Sequence, residues 1–264
     1  MALLDLLSKR PDLKIVVAHL DHGIRDDSEQ DRLFVQEAAQ KYGLDFAYTE
    51  GELGPAAGEA EARQLRYDFL RQVLKDTNSK AIITAHHQDD VLETAIINML
   101  RGTGRKGLSA LKNQPGILRP LLRMPKAELV KYANQQGLEW REDSTNANTA
   151  YLRNYVRHNI LPRFNPGDTA ELVAIVTNSA ATNQELDKSL EQILKTKTGS
   201  QGLDRQWFNG LPHNVAREVI AAWLRANGTA GFDSKTIEKL VVAAKTGAAG
   251  KTFPVQKGVH MTVN

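Results

Sequence analysis

The residues able to do chemistry crowd into one stretch, AHHQDDVLETAIINMLRGTG, at positions 85–104. Asp89 and Glu93 are four apart and Asp90 and Glu93 three apart, so a helix through them gathers these carboxylates on its first turn. Hard oxygen donors of this kind suit Mg²⁺, which is usually shared with nucleotide phosphates. Asp89, Asp90 and Glu93 are therefore the expected metal group. A plainer reading is that Asp89 and Asp90 only favour the positive end of the helix, at about 0.3–1 kcal/mol per charge. That reading covers one aspartate but leaves His86 and His87 unexplained. Zinc is the rival chemistry, yet adjacent histidines near a strand end point to opposite faces, so only one serves easily. His87 reads as a packing or hydrogen-bonding residue rather than a reactive one.

These residues need a frame to hold them. AIITAHH (81–87) reads as a buried strand and DDVLETAIINMLR (89–101) as the helix after it. KIVVAHLDH (14–22) is a second buried strand, ending in His19, Asp21 and His22. In open α/β sheets ligands bind beyond the carboxyl ends of the strands, so the two polar clusters are expected to face one crevice. Between and after them come a helix capped at Ser28 and stopped at Gly43, and a strand DFAYTE (45–50). A helix follows over about 59–75, with Leu65, Phe69 and Val73 on one face. ILRPLL (117–122) is a short strand, PKAELVKYANQQ (125–136) a helix ending at Gly137, and LEWRED the last strand candidate. The first residues, MALLDLLSKR, have helical spacing without a start signal. Alternating strands and helices predict an α/β fold with a doubly wound parallel sheet.

Near RFNPGD (163–168) the texture changes. Helical stretches at about 169–195, 212–227 and 234–245 and a β-like end, TFPVQKGVHMTVN, predict a second, mostly helical domain. The expected domains are 1–165 and 166–264. No apolar run approaches a membrane span and nothing at the start resembles a signal peptide, so the expected location is the cytoplasm. The 264 residues contain no cysteine, which excludes disulfides, thiolate metal sites and cysteine nucleophiles within this sequence.

The net charge of +3 hides a segregation. Residues 1–93 carry 11 Lys/Arg against 18 Asp/Glu, a balance of −7, whereas 94–163 carry 12 against 4, or +8. The basic block starts where the HHQDD helix ends, and it predicts a polyanion surface beside the reactive site. The loop RGTGRKG (101–107) follows a helix rather than a strand, which makes it a weak phosphate loop and a better basic arm toward an RNA backbone. Its charge continues in Lys112, Arg119, Arg123, Lys126, Arg141, Arg153, Arg157 and Arg163.

AHLDHGIR, EARQLRYDFL, AHHQDDVLET, NMLRGTGRKGL, LRPLL and RNYVRHNILPRF, in that order, resemble the tRNA(Ile)-lysidine synthetase family of PP-loop ATP pyrophosphatases. The resemblance covers residues 1 to about 165 closely and the helical region more loosely. It implies that ATP adenylates the C2 oxygen of the wobble cytidine in tRNA(Ile) with anticodon CAU. The ε-amino group of free L-lysine then attacks C2 and displaces AMP. Carried over by position, Asp90 and His86 are the catalytic residues, with Asp90 the Mg²⁺–ATP partner assisted by Asp89 and Glu93. Ala18, His19 and His22 lie beside the adenosine; Arg63 and Arg66 lie near the nucleotide, Arg66 equally as a structural salt bridge. Arg153 and Arg157 face phosphate or tRNA at the mouth of the site. Arg101, Arg105, Lys106, Arg119 and Arg123 are the expected tRNA contacts, and a homodimer stays open.

In the family a strand and an SGGxDS loop, which cradles the ATP pyrophosphate, run straight into a segment like MALLDLL. Here MALLDLL is residue 1, so the expectation is a chain lacking that loop and inactive unaided. Two other readings remain: a different PP-loop tRNA-modifying enzyme, and a non-catalytic tRNA-binding remnant.

Overall fold

The computed structural model describes residues 1–21, 23, 28–51, 53, 58–103, 105–109, 111–142, 148–199, 202–229 and 231–264. They divide into two units, Met1–Thr94 with Leu111–Asn165, and Ala95–Ala110 with Pro166–Asn264. The change at 165/166 falls where the sequence changes texture. Residues 95–110, however, belong to the second unit.

In the first unit α1 (Ala2–Ser8) precedes β1 (Val16–Asp21), α2 (Ser28–Lys41), β2 (Asp45–Glu50), α3 (Glu59–Asp76) and β3 (Ile82–Ile83). Helix α4 (Gln88–Leu100) begins in this unit and ends in the second, which also holds α5 (Arg105–Leu108). The chain re-enters the first unit with β4 (Ile117–Leu118), α6 (Lys126–Gln135) and α7 (Leu152–Tyr155). A π-helical turn over Val156–Ile160 and a 3₁₀ turn over Leu161–Arg163 close it.

Strands β1 and β2 pair in parallel from Val16–Asp45 to Asp21–Glu50, and β3 and β4 pair in parallel through Ile82–Ile117 and Ile83–Leu118. The predicted parallel, α/β character is present. Among the described residues the ladder is two separate pairs, with α3 packed against both β1 and β3. β-branched and apolar residues in β1 suit a strand covered by helices, and α2 and α3 both lie on it. On α3, buried Tyr67 packs with Ile82 and Ile117, and half-buried Leu70 and Leu74 join them; Leu65, Phe69 and Val73 are half-buried as well. Two strand expectations shorten. AIITAHH keeps two paired residues plus the Thr84 N–H, which donates to the Leu118 carbonyl at 3.0 Å. ILRPLL stops at Leu118 because Pro120 has no N–H for a ladder. Residues 138–142 of LEWRED form no strand.

A buried acid ties the first unit's helices together. Asp5, 5% exposed, accepts hydrogen bonds from the Tyr42 hydroxyl (2.9 Å), the Tyr132 hydroxyl (2.5 Å) and Lys9 Nζ (2.8 Å). It thus joins α1 to α2 and α6.

The second unit is built on α8 (Pro166–Lys197), the strand pair β5 (Thr198–Gly199) and β6 (Gly202–Leu203), α9 (Arg205–Asn209), α10 (His213–Ala226) and α11 (Ser234–Thr246). An antiparallel hairpin of β7 (Thr252–Gln256) and β8 (Val259–Thr262) ends it. Phe208, Val219, Ile220, Leu240 and Val241 are fully buried at its centre. Asp204 and Asp233 cap α9 and α11 by accepting the Trp207 and Thr236 backbone N–H groups. Gly102 and Gly107 of RGTGRKG serve this packing. Gly102 has φ +65° and ends α4, with its N–H on the Met99 carbonyl and Thr103 N–H on the Asn98 carbonyl, a helix stop that favours glycine. A Cβ on Gly107 would fall 1.8 Å from Thr103 Oγ1, so the turn closes only around glycine. Among the described residues no helix is long and apolar enough to cross a membrane.

Candidate active site

The site lies within the first unit, where the segment after β3 turns into α4. Thr84 and His86 are two residues apart in extended backbone, so their side chains share a side, and Thr84 Oγ1 lies 2.8 Å from His86 Nδ1. His87 turns the other way. Its backbone N–H donates to Asp90 Oδ2 (2.9 Å), and its ring Nε2 lies 3.4 Å from the same oxygen. Asp90 so satisfies one of the open N–H groups that any helix start leaves. Asp89 Oδ1 accepts the Lys126 backbone N–H at 3.0 Å, which fixes the start of α6 to the start of α4.

Glu93 is 1% exposed and is held by a fork of two hydrogen bonds. Arg157 Nε donates to Oε1 at 2.6 Å and Nη2 to Oε2 at 3.0 Å, while Arg153 Nη1 stands 3.7 Å away. Arg157 Nη2 is also 3.8 Å from Asp90 Oδ1. Hydrogen bonds to Glu93, partly offset by burial, raise the Arg157 pKa above its ordinary value. The π-helical turn that carries Arg157 follows directly on α7, which carries Arg153. Such widened turns are frequent at functional sites.

His86 sits among cations. Burial pushes its pKa down to about 4; Asp90 opposes this, and Arg119, Arg63 and Arg66 add to it. Arg119 is 3% exposed, with Nη1 on the Lys112 carbonyl, Nη2 3.3 Å from the Tyr67 hydroxyl, and a buried Nε without a partner among the described residues. The guanidinium groups of Arg63 and Arg66 lie over the Tyr67 ring at 5.0 and 5.8 Å.

A family model for the PP-loop domain matches residues 1–164. The chain belongs to the PP-loop family. Its curated relatives include proteins named tRNA(Ile)-lysidine synthase. The one from Solibacter usitatus is 31% identical over 96% of this chain and 61% of its own length. The one from Geobacter sulfurreducens is 34% identical over 92% and 57%, and that from Thermus thermophilus 40% identical over 60% and 32%. The chain thus spans about six-tenths or less of these relatives. A solved structure, the U34-tRNA thiolase NcsA from Methanococcus maripaludis with its 4Fe–4S cluster, aligns at a TM-score of 0.52 and 15% identity. It covers 67% of this chain and 66% of that one, a likeness of fold alone.

Within this PP-loop unit the sequence-based expectations divide. Asp89, Asp90, Glu93, Arg153 and Arg157 come together at the start of α4, and His86, Arg63, Arg66 and Arg119 gather beside it. The carboxylate trio does not form a metal cage. Both Glu93 oxygens take the Arg157 fork, and among the described residues no group of three or more His, Asp or Glu is placed to hold an ion. Asp90 Oδ2 and Asp89 Oδ1 take backbone N–H groups, while Asp90 Oδ1 and Asp89 Oδ2 accept no hydrogen bond among the described residues, which fits a Mg²⁺ ion held by one or two carboxylates with phosphates and water. His19 pairs across β1–β2 with Tyr48. Burial lowers its pKa against the pull of Asp21 and Asp31, with Arg32 adding to the fall, so its electrostatic neighbours are not those of His86. Ala18 lies inside β1 opposite Ala47, not at the strand end. His22 lies outside the described residues.

The basic block is no single platform. Arg119 is buried, a correction to its reading as a tRNA contact. Arg105 and Lys106 are corrected as well, because carboxylates of the second unit hold them. Arg105 Nη2 lies 3.0 Å from Asp187 Oδ1 and 2.9 Å from Glu218 Oε2, its Nη1 donates to Asn183 Oδ1 (2.6 Å), and Lys106 Nζ reaches Asp187 Oδ2 (2.8 Å). Arg101 and Arg123 are exposed. Sequence reasoning missed Tyr67 and Thr84. The i, i+4 spacing of Arg63 and Tyr67 on a helix was a usable signal for the first, and the two-residue spacing to His86 for the second.

Proposed function

We propose that the chain catalyses ATP-dependent joining of L-lysine to the wobble cytidine of tRNA(Ile) with anticodon CAU, as the names of its relatives suggest. The observation that carries this reading is the meeting, at the start of α4, of Asp90, the Glu93–Arg157 fork and the arginine-ringed His86, in a PP-loop domain. In this reading ATP transfers its adenylyl group to the C2 oxygen and diphosphate leaves, and the ε-amino group of lysine then takes C2 as AMP leaves. Mg²⁺ with the arginines would supply the charge neutralisation that phosphoryl chemistry needs. Asp90, assisted by Asp89, holds the metal–phosphate group. Arg63 and Arg66 face the nucleotide phosphates, and Arg153 and Arg157 face phosphate or tRNA. Glu93 orients Arg157 and is not a metal ligand. Exposed Arg101 and Arg123 meet tRNA phosphates, and the second unit contributes further RNA contact. A cytoplasmic location belongs to the same reading.

The test is incubation of the protein with ATP, L-lysine and a tRNA(Ile) CAU transcript, with AMP release and the modified nucleoside followed by chromatography and mass spectrometry. Lysine- and tRNA-dependent AMP with lysidine in the digest supports the reading. Asp90→Asn should lower the rate at least about 100-fold. AMP release that ignores lysine and tRNA, or none even from a protein in which a strand and SGGxDS loop are joined ahead of residue 1, would reject it.

A further inference from the structure

The hydroxyl of Thr84 and the ring of His86 make a contact that the proposed reaction has not used. We propose that Thr84 is a positioning residue: its hydroxyl donates to His86 Nδ1 and leaves the ring's single proton on Nε2, so His86 meets its ligand as a neutral N–H donor to a phosphoryl or carbonyl oxygen. The proposal rests on the reading of His86 as a reactive group.

Backbone geometry prepares the contact. The Thr84 N–H is fixed on the Leu118 carbonyl, which extends the β3–β4 ladder by one residue and sets the direction of the Thr84 side chain. Two residues on, the extended segment brings the imidazole to the same side, with Oγ1 and Nδ1 2.8 Å apart. A threonine hydroxyl carries one hydrogen and a neutral imidazole carries one, on either nitrogen. If Nδ1 bore the ring proton, the Thr84 hydrogen would need another acceptor. Among the described residues the Thr84 hydroxyl bonds only to Nδ1. On this proposal the hydrogen is therefore assigned to the Nδ1 lone pair, and the partner on one nitrogen decides the state of the other.

The surroundings keep the ring neutral. The charged groups that face it are Asp90 from α4, Arg63 and Arg66 from α3, and Arg119 after β4, three cations against one carboxylate. A neutral His86 fixed with its proton on Nε2 is not a base at that nitrogen. It can donate to an oxygen that gains negative charge, and it adds no further positive charge to an arginine-rich site.

The test uses the whole protein labelled with ¹⁵N-histidine, with His86 assigned by comparison with His86→Gln. Long-range ¹H–¹⁵N spectra at pH 7 should show His86 protonated on Nε2 alone. Thr84→Val keeps the shape and removes the hydroxyl; it should mix the two tautomers and lower kcat about 5- to 10-fold, with KM for ATP changed less than about two-fold. Thr84→Ser should restore the spectrum and the rate. Protonation of Nδ1 in the wild type overturns the proposal, as does a Thr84→Val protein in which either the tautomer or kcat is unchanged. If Thr84→Val does not fold, the wild-type and Thr84→Ser spectra decide. The spectra need no substrate, so failure to form lysidine would count against the proposed function and leave this inference standing or falling on its own.

Discussion

The two units each contain an arginine–carboxylate network, and the two differ in their access to water. In the first unit Glu93 is removed from solvent, the Arg157 fork takes both of its oxygens, and Asp90 and Arg153 stand within 4 Å of the pair. In the second, Arg105 and Lys106 meet Asp187 and Glu218, with side chains between 22% and 40% exposed. The carboxylates make the difference, since Arg157 and Arg105 are alike at 26% and 22% exposed while water and salt reach Asp187 and Glu218 and not Glu93. Loss of one member of the buried network strands charge in a poorly solvated place. Loss of one member of the open network returns its partners to water. The buried pair can therefore fix the charge pattern of a reactive site, whereas the open one fastens the 101–107 segment to α8 and α10.

The largest expected effect breaks the buried network. Glu93→Gln should lower the urea-unfolding free energy by about 3 kcal/mol, and the loss should persist in about 1 M NaCl. Adding Arg157→Met should recover part of that loss, since an apolar pair leaves no stranded charge. A loss below about 1 kcal/mol would put Glu93 on a par with a surface ion pair. Arg105→Ala should cost about 1–2 kcal/mol at low salt, followed by the fluorescence of Trp207 and Trp223, and the cost should shrink in high salt. A salt-independent cost would erase the contrast between the networks.

Two pH experiments sharpen it further. Burial pushes the Asp5 carboxyl up, but hydrogen bonds from Lys9, Tyr132 and Tyr42 outweigh this and hold it below its ordinary range. Its folded pKa is depressed, so its stabilisation is present above the unfolded value of about 4 and disappears as pH falls through the lower folded value. The stability difference between wild type and Asp5→Asn, about 1 kcal/mol at pH 6 by urea titration, should close across that window. The His86 contribution falls in the same direction from a different cause, the burial of a neutral ring. With its folded pKa near 4, the unfolded chain takes up protons first as pH falls below about 6.5, so stability declines between there and about 4. His86→Gln should flatten that decline, and the His86 resonance should not titrate near pH 6.5.

Local signals were legible in the sequence, and partnerships between distant residues were not. DFAYTE became β2 with the same bounds, and the helix ends at Gly43 and Gly137 followed from glycine alone. The gathering of Asp89, Asp90 and Glu93 followed from helical spacing. That Glu93 serves Arg157 was hidden, because 64 positions separate them. The same holds for Arg119 and Tyr67, 52 apart, and for Arg105 and Glu218, 113 apart. A cation written in a basic run looks solvated until its carboxylate, carbonyl or aromatic partner is located. Charge segregation therefore overstated the exposed basic surface.

The most direct measurement of the central claim is ATP affinity, by titration calorimetry in the presence of Mg²⁺, for the wild type and Asp90→Ala. If the start of α4 is the nucleotide site, the wild type binds and Asp90→Ala loses at least about ten-fold in affinity, beyond the loss of about 1 kcal/mol in unfolding free energy expected from the missing His87 cap. Equal affinities in the two proteins would contradict the assignment.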